Sequence, residues 1–220
     1  MIEQPDQLQV LIVEDDPFTR TMLQQLLVGH LRATVMATQS AAEGIQFAQR
    51  DFPRLAIIDF DLGDGPNGLD LALALRRNDD SIGLVFLSTY SSPRLISTEE
   101  LSMPERSVFI SKQSVSSTEV LLSAVDHALN RQHSPQAIPL DSREGESLVD
   151  KLTDQNIEIL RLIADGLSNS EIAATLFINE RAVEKSIARM IKTLGIQAEA
   201  GKNQRVTLVR LFLRLTGKGA

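Results

Sequence analysis

Residues 55–71 read Leu-Ala-Ile-Ile-Asp-Phe-Asp-Leu-Gly-Asp-Gly-Pro-Asn-Gly-Leu-Asp-Leu. The first five, Leu55–Asp59, form a short apolar run ending on an acid, the pattern of a buried strand that emerges at a sheet edge. Glycines, a proline and an asparagine then break the regularity. Gly68–Arg77 resumes as a helix, with Leu69, Leu71, Leu73 and Leu75 among alanines. The same strand–loop–helix unit recurs on both sides. Gln9–Val13 precedes Phe18–Val28, and Thr34–Ala37 precedes Ala41–Arg50. Leu84–Leu87 precedes a weaker element at Pro93–Leu101, and Ser107–Ile110 precedes Ser117–Asn130. Alternation of this kind over ~130 residues predicts an α/β doubly wound, five-stranded parallel sheet. Such sheets bind ligands beyond the carboxyl ends of their strands.

Those ends carry one chemistry. The first strand runs into Glu14-Asp15-Asp16, the third into Asp59 and the fourth into Ser88-Thr89, while Lys112 follows the fifth. Clustered carboxylates stay ionised together only beside a cation. With oxygen ligands alone, Mg²⁺ is the natural candidate, since it takes one or two carboxylates plus phosphate and keeps several waters. A carboxylate beside that ion can attack a phosphoryl group, with a lysine balancing the phosphoryl charge. Any one of these acids reads more readily as a solvated loop residue; the ordered set does not.

Beyond Asn130 the pattern changes. Residues 131–147 hold two prolines and almost no apolar periodicity, and read as a linker. Domains are therefore expected over 1–131 and 149–220, with 132–148 between them. The second domain reads as all-α. Thr153 caps a helix that Gly166 stops, and Ser168 and Glu171 form a capping box for the next. A turn at Phe177-Ile178-Asn179 and a restart at Glu180 complete a helix-turn-helix. On the wheel of Glu180–Leu194, Val183, Ile187, Met190, Ile191 and Leu194 share one side. Arg181, Lys185, Ala188, Arg189 and Lys192 share the other. A solvated charged face is the bland reading. Four cations around one small residue favour a helix that enters the major groove of double-stranded DNA. The last helix, Gln204–Thr216, is apolar over far more than the ~100° that one core requires. It is either sunk in its own domain or a homodimer contact through Val209, Phe212 and Leu213. The dimer is preferred, because paired half-sites call for a two-fold partner.

Composition sets the outer limits. Absence of cysteine excludes disulfides and thiolate chemistry, and three scattered histidines argue against a histidine metal site. No signal peptide or membrane span fits, so a soluble, cytoplasmic protein without membrane partners is expected. The formal charge of −7 argues against nucleic acid until it is divided. Residues 1–149 hold 11 basic and 21 acidic side chains; residues 150–220 hold 11 and 8. An acidic half joined to a basic module is the better description.

From Val10 to about Asn130 the chain resembles the receiver domain of two-component response regulators. The resemblance rests on L-I-V-E-D-D-P, I-I-D-F-D-L…N-G-L-D-L, V-F-L-S-T and F-I-S-K, in that order. It implies a flavodoxin-like fold with Asp59 as phospho-acceptor. Glu14 and Asp15 match the acidic pair for Mg²⁺, and Asp61 matches the position lending a backbone carbonyl to the metal. Ser88, with Thr89 beside it, matches the hydroxyl that binds the phosphoryl group, Lys112 its salt-bridge partner and Phe109 the switch aromatic. Residues 150–200 are similar to the LuxR-type DNA-binding domain, and the two together match the NarL/FixJ class. The resemblance implies a transcription factor phosphorylated by a sensor histidine kinase, with at most slow self-dephosphorylation and no enzymatic turnover.

Several positions depart from the family patterns. The loop after Asp59 is one residue longer than usual, Gln113 replaces a common proline, and Asp16 adds a third acid that reads as a helix start. Ala182, Glu184 and Ser186 replace the Thr, Lys and His frequent in the reading helix. The Asp59 motif also looks like that of haloacid-dehalogenase-type phosphatases, but those place their acidic pair downstream. A receiver controlled by a ligand or partner without phosphorylation is the main alternative, and a protein-binding scaffold is another.

Overall fold

The computed structural model describes residues 7–63, 65–96, 103–112, 115, 117–130, 136–137, 148–197 and 203–218. Two compact units emerge, one of Met1–Ser88 with Ser102–Leu140, the other of Thr89–Leu101 with Asp141–Ala220.

The first unit is a parallel sheet with the order β2-β1-β3-β4-β5-β6. Its strands are β1 (Leu8–Val13), β2 (Ala33–Thr38), β3 (Leu55–Asp59), β4 (Gly83–Ser88), β5 (Ser107–Ser111) and the two-residue β6 (Gln136–Ala137). All five predicted strands form in a doubly wound order; β6 is an addition inside the segment expected to be linker. The remainder of that linker, and Gln113, lie outside the described residues. β3, β4 and β5 are buried along their whole length, as unbroken apolar strands in a parallel sheet should be. Val10, Ile12, Leu55, Ile57, Val85, Leu87, Val108 and Ile110 build one face of the core, with Leu23 and Leu27 of α1 (Pro17–His30) and Leu121 and Val125 of α4 (Thr118–Leu129). The remaining helices are α2 (Ala41–Asp51) and α3 (Gly68–Asn78). Asp16 caps α1 by accepting from the Thr19 amide, so the third acid is a helix start. Asn67 and Asp70 form a reciprocal capping box that opens α3 directly after the Asp59 loop.

The weak element between β4 and β5 is not a helix among the described residues; Pro93–Leu95 makes a single 3-10 turn. Its apolar residue Leu95 packs in the second unit instead.

That second unit consists of α5 (Asp154–Ala164), α6 (Asn169–Thr175), α7 (Glu180–Thr193) and α8 (Gln204–Leu215). Thr153, Ser168, Asn179 and Asn203 cap them in turn. Val149, Leu152, Ile157, Leu160, Ile163, Ile172, Val183, Met190, Leu208 and Phe212 form its core. Phe212 of α8 is only 8% exposed inside its own unit. Val209 and Leu213 are half-buried, and Val206 is the exposed apolar side chain of that helix.

Candidate functional site

Three strand ends meet around one lysine. Glu14 follows β1 and is fully buried, and Asp59 closes β3 at 2% exposure. Lys112 leaves β5 and donates from Nζ to Glu14 Oε1 at 2.8 Å and to Asp59 Oδ2 at 2.9 Å. Its backbone amide donates to the Ser88 carbonyl at 2.7 Å, tying the end of β4 to the same group. The Asp59 carboxylate also accepts from the Asp61 amide at 3.2 Å through Oδ1. Asp15 is exposed and completes a group with Glu14 and Asp59 whose ligand oxygens lie within 4.8 Å of one another.

The electrostatics follow from two carboxylates sharing one ammonium. Burial pushes Glu14 up to about 7, against the Lys112 hydrogen bond and with the negative charge of Asp59 reinforcing it. Burial also raises Asp59, while Lys112 pulls it back. For Lys112, burial works against the ammonium, but the hydrogen bonds and charges of both carboxylates outweigh it and hold its pKa above the usual value. Glu14 Oε2 is buried with no hydrogen-bond partner among the described residues. An unpaired buried carboxylate oxygen costs free energy unless a cation meets it. Three acidic ligands and that oxygen fit a divalent metal ion held by oxygen.

Two residues that the motifs did not single out shape this site. Arg20, one turn into α1, donates through Nη1 to the carbonyls of Glu14 at 2.6 Å and Asp15 at 3.1 Å, fixing the backbone of the acidic pair. Gly68 sits so close to β3 that a Cβ there would be 2.2 Å from the Asp59 carbonyl oxygen. A cation four residues past Asp16 and a glycine opening α3 are the signals that could have found them.

Ser88 is buried at the end of β4, and Phe109 is buried on β5 in register with Phe86. Thr89 does not join them; it is exposed and groups with the second unit. In that unit Arg181, Lys185, Ala188, Arg189 and Lys192 are all exposed along α7, opposite the buried Val183 and Met190. Their neighbour Phe177, in the turn before α7, is 96% exposed at a positive φ of 54°.

Residues 10–126 match the response regulator receiver domain, more than half of the chain. The chain belongs to the response-regulator family. Residues 150–201 of this regulator match the bacterial regulatory proteins of the luxR family, making it a transcription factor with receiver and LuxR-type DNA-binding domains. It is 30% identical over 203 residues to a nitrate/nitrite response regulator homolog of Haemophilus influenzae, covering 88% of this chain and 93% of that one. It is 27% identical over 217 residues to the nitrate/nitrite response regulator NarP of Escherichia coli, covering 95% and 96%. The fold is shared with the response regulator RcsB in its DNA complex, at TM-score 0.57 and 20% identity over 96% of this chain and 99% of that one. No helix among the described residues is long and apolar enough to cross a membrane.

Proposed function

We propose that Asp59 accepts a phosphoryl group from a sensor histidine kinase and that the added charge controls how the regulator engages DNA. The observation that carries this is the single ammonium of Lys112 hydrogen-bonded to both Glu14 and Asp59, with a second Glu14 oxygen left unpaired beside them. In the transfer, an oxygen of Asp59 bonds to phosphorus as the bond from phosphorus to the kinase's histidine nitrogen breaks. The imidazole leaves with the electron pair and takes a proton from water. Lys112 lies where it can move from the carboxylates to the incoming phosphoryl oxygens, balancing their charge. Mg²⁺, held by Glu14, Asp15, Asp59 and the Asp61 carbonyl, would supply the remaining neutralisation of those oxygens. Ser88 presents its hydroxyl to the phosphoryl group, and Phe109 repacks behind it. The acyl phosphate is lost by slow self-hydrolysis, and no external phosphate ester is turned over.

The exposed arc of Arg181, Lys185, Arg189 and Lys192, with Ala188 allowing close approach, is the proposed major-groove surface. A homodimer on DNA would use Val209, Phe212 and Leu213 of α8, with the exposed Val206 beside them. The domains are taken as 1–131 and 149–220, joined by 132–148, in a cytoplasmic protein. Acetyl phosphate with Mg²⁺ tests the reading: Asp59→Asn abolishes covalent labelling, and unchanged labelling overturns it.

A further inference from the structure

One acid stands beside the cations of α7. Glu184 is exposed, about 40° around the helix from Ala188 and about 60° from Arg181. The helix itself gives it no task. Its N-terminus is already capped by Asn179, which accepts from the Ala182 amide at 2.8 Å, and Glu180 is the acid of its first turn. The favourable end of the helix dipole does not extend beyond that turn. Glu180, four residues before Glu184, is a like charge at a spacing that costs the helix a few tenths of a kcal/mol, by about as much as an opposite pair would add. Ala188, four residues after it, offers no partner charge. Among the described residues Glu184 makes neither an ion pair with Arg181 nor any side-chain hydrogen bond. A carboxylate here also repels the phosphates that Arg181, Lys185, Arg189 and Lys192 would attract.

An acid that weakens both the helix and its attraction to phosphate has a use if DNA offers it a donor. We propose that Glu184 sets the regulator's sequence preference: its carboxylate accepts a hydrogen bond from the N4 amine of a cytosine in the major groove. The inference rests on the proposed use of α7 as the reading helix. In a helix-turn-helix the N-terminal residues of the second helix meet the base edges, and Glu184 lies only four residues after the start of α7. The choice of base follows from the groove's donors and acceptors. Guanine presents two acceptors there and thymine an acceptor and a methyl group, so both repel or ignore a carboxylate. Adenine presents an amine beside the acceptor N7, which faces the second carboxylate oxygen with like charge. Cytosine presents the amine without an acceptor. Lys185, next in the chain, is free among the described residues to take the guanine acceptors of the same or a neighbouring pair. Each half-site is therefore expected to hold one obligatory C·G pair.

The test selects binding sites from randomised DNA duplexes with the full chain, treated with acetyl phosphate and Mg²⁺. Affinities at one salt concentration are then measured for the selected site and for every single-base change in it. Glu184→Ala, Glu184→Gln and the double variant Lys185→Ala with Arg189→Ala are run alongside, and circular dichroism verifies that each stays folded. In the unmodified chain one position of each half-site prefers cytosine by about fivefold or more. Glu184→Ala loses that preference and keeps the others. Glu184→Gln moves it towards adenine, whose N6 and N7 suit an amide. A carboxylate that only repels phosphate gives a different result: both variants bind every duplex more tightly by the same factor, with base preferences unchanged, and that overturns the inference. Loss of preference at a base other than cytosine overturns it as well. Both results leave α7 as the reading helix, provided that the double variant loses specific binding. A double variant that selects and binds the same site as the unmodified chain overturns the α7 surface and the role of Glu184 together.

Discussion

Gly68→Ala is the substitution that best tests whether the loop after Asp59 is built around that aspartate. A methyl group at residue 68 would lie 2.2 Å from the Asp59 carbonyl oxygen and 3.0 Å from both its carbonyl carbon and Ile58 Cγ2. Neither backbone atom has a rotamer to escape into. Reaching the ordinary contact of 3.4 Å from 2.2 Å demands about 1.2 Å of separation between β3 and the start of α3. That movement strains the Gly68 amide bond to the Phe60 carbonyl, now 3.2 Å, and the capping box at Asn67. Overpacking a filled site costs about 1–3 kcal/mol, which lowers the urea midpoint by roughly 1 M for a typical slope. The larger effect is on chemistry, since a misplacement of about 1 Å near a reacting group costs ~10²-fold in rate. Two assays are needed: urea unfolding of the full chain, and the initial rate of Asp59 labelling by acetyl phosphate with Mg²⁺. A variant as stable as the unmodified chain and labelled at the same rate would refute the claim that this glycine positions Asp59.

Three further outcomes are expected. Lys112→Met leaves two buried carboxylates facing each other without an ammonium, a loss of about 3–5 kcal/mol for a broken buried pair; melting of the metal-free chain should fall steeply and recover in part with Mg²⁺. The metal-free protein should also lose stability as pH rises. Glu14 has a folded pKa raised from 4.5 to about 7, so its contribution is full below 4.5 and is lost as pH rises through 7. Melting temperature in chelator across that window measures this, and a flat profile contradicts it; with Mg²⁺ the trend weakens, because the metal competes with the proton. On the other unit, replacing Lys185 and Arg189 by alanine should abolish specific DNA binding at physiological salt. Each cation taken away from a phosphate should lower the salt slope by about 1, and a double variant with unchanged affinity would reassign the surface.

The sheet was legible because its strands obey one local rule, an apolar run ended by a polar residue, and β3, β4 and β5 follow it with every residue buried. The site was legible for the same reason, since the rule for open parallel sheets places Glu14, Asp59 and Lys112 at one edge. Arg20 and Gly68 were not, because their roles lie against the backbone, at the carbonyls of Glu14 and Asp15 in one case and of Asp59 in the other. Periodicity also failed where a segment serves a distant core. Pro93–Leu101 reads as a poor helix because Leu95 packs against α5 and not against its own sheet. On α8 a wheel counts apolar residues but not how much of the circumference a small bundle covers; Leu208, Leu211 and Phe212 are buried there, while Val209 and Leu213 stay half-buried.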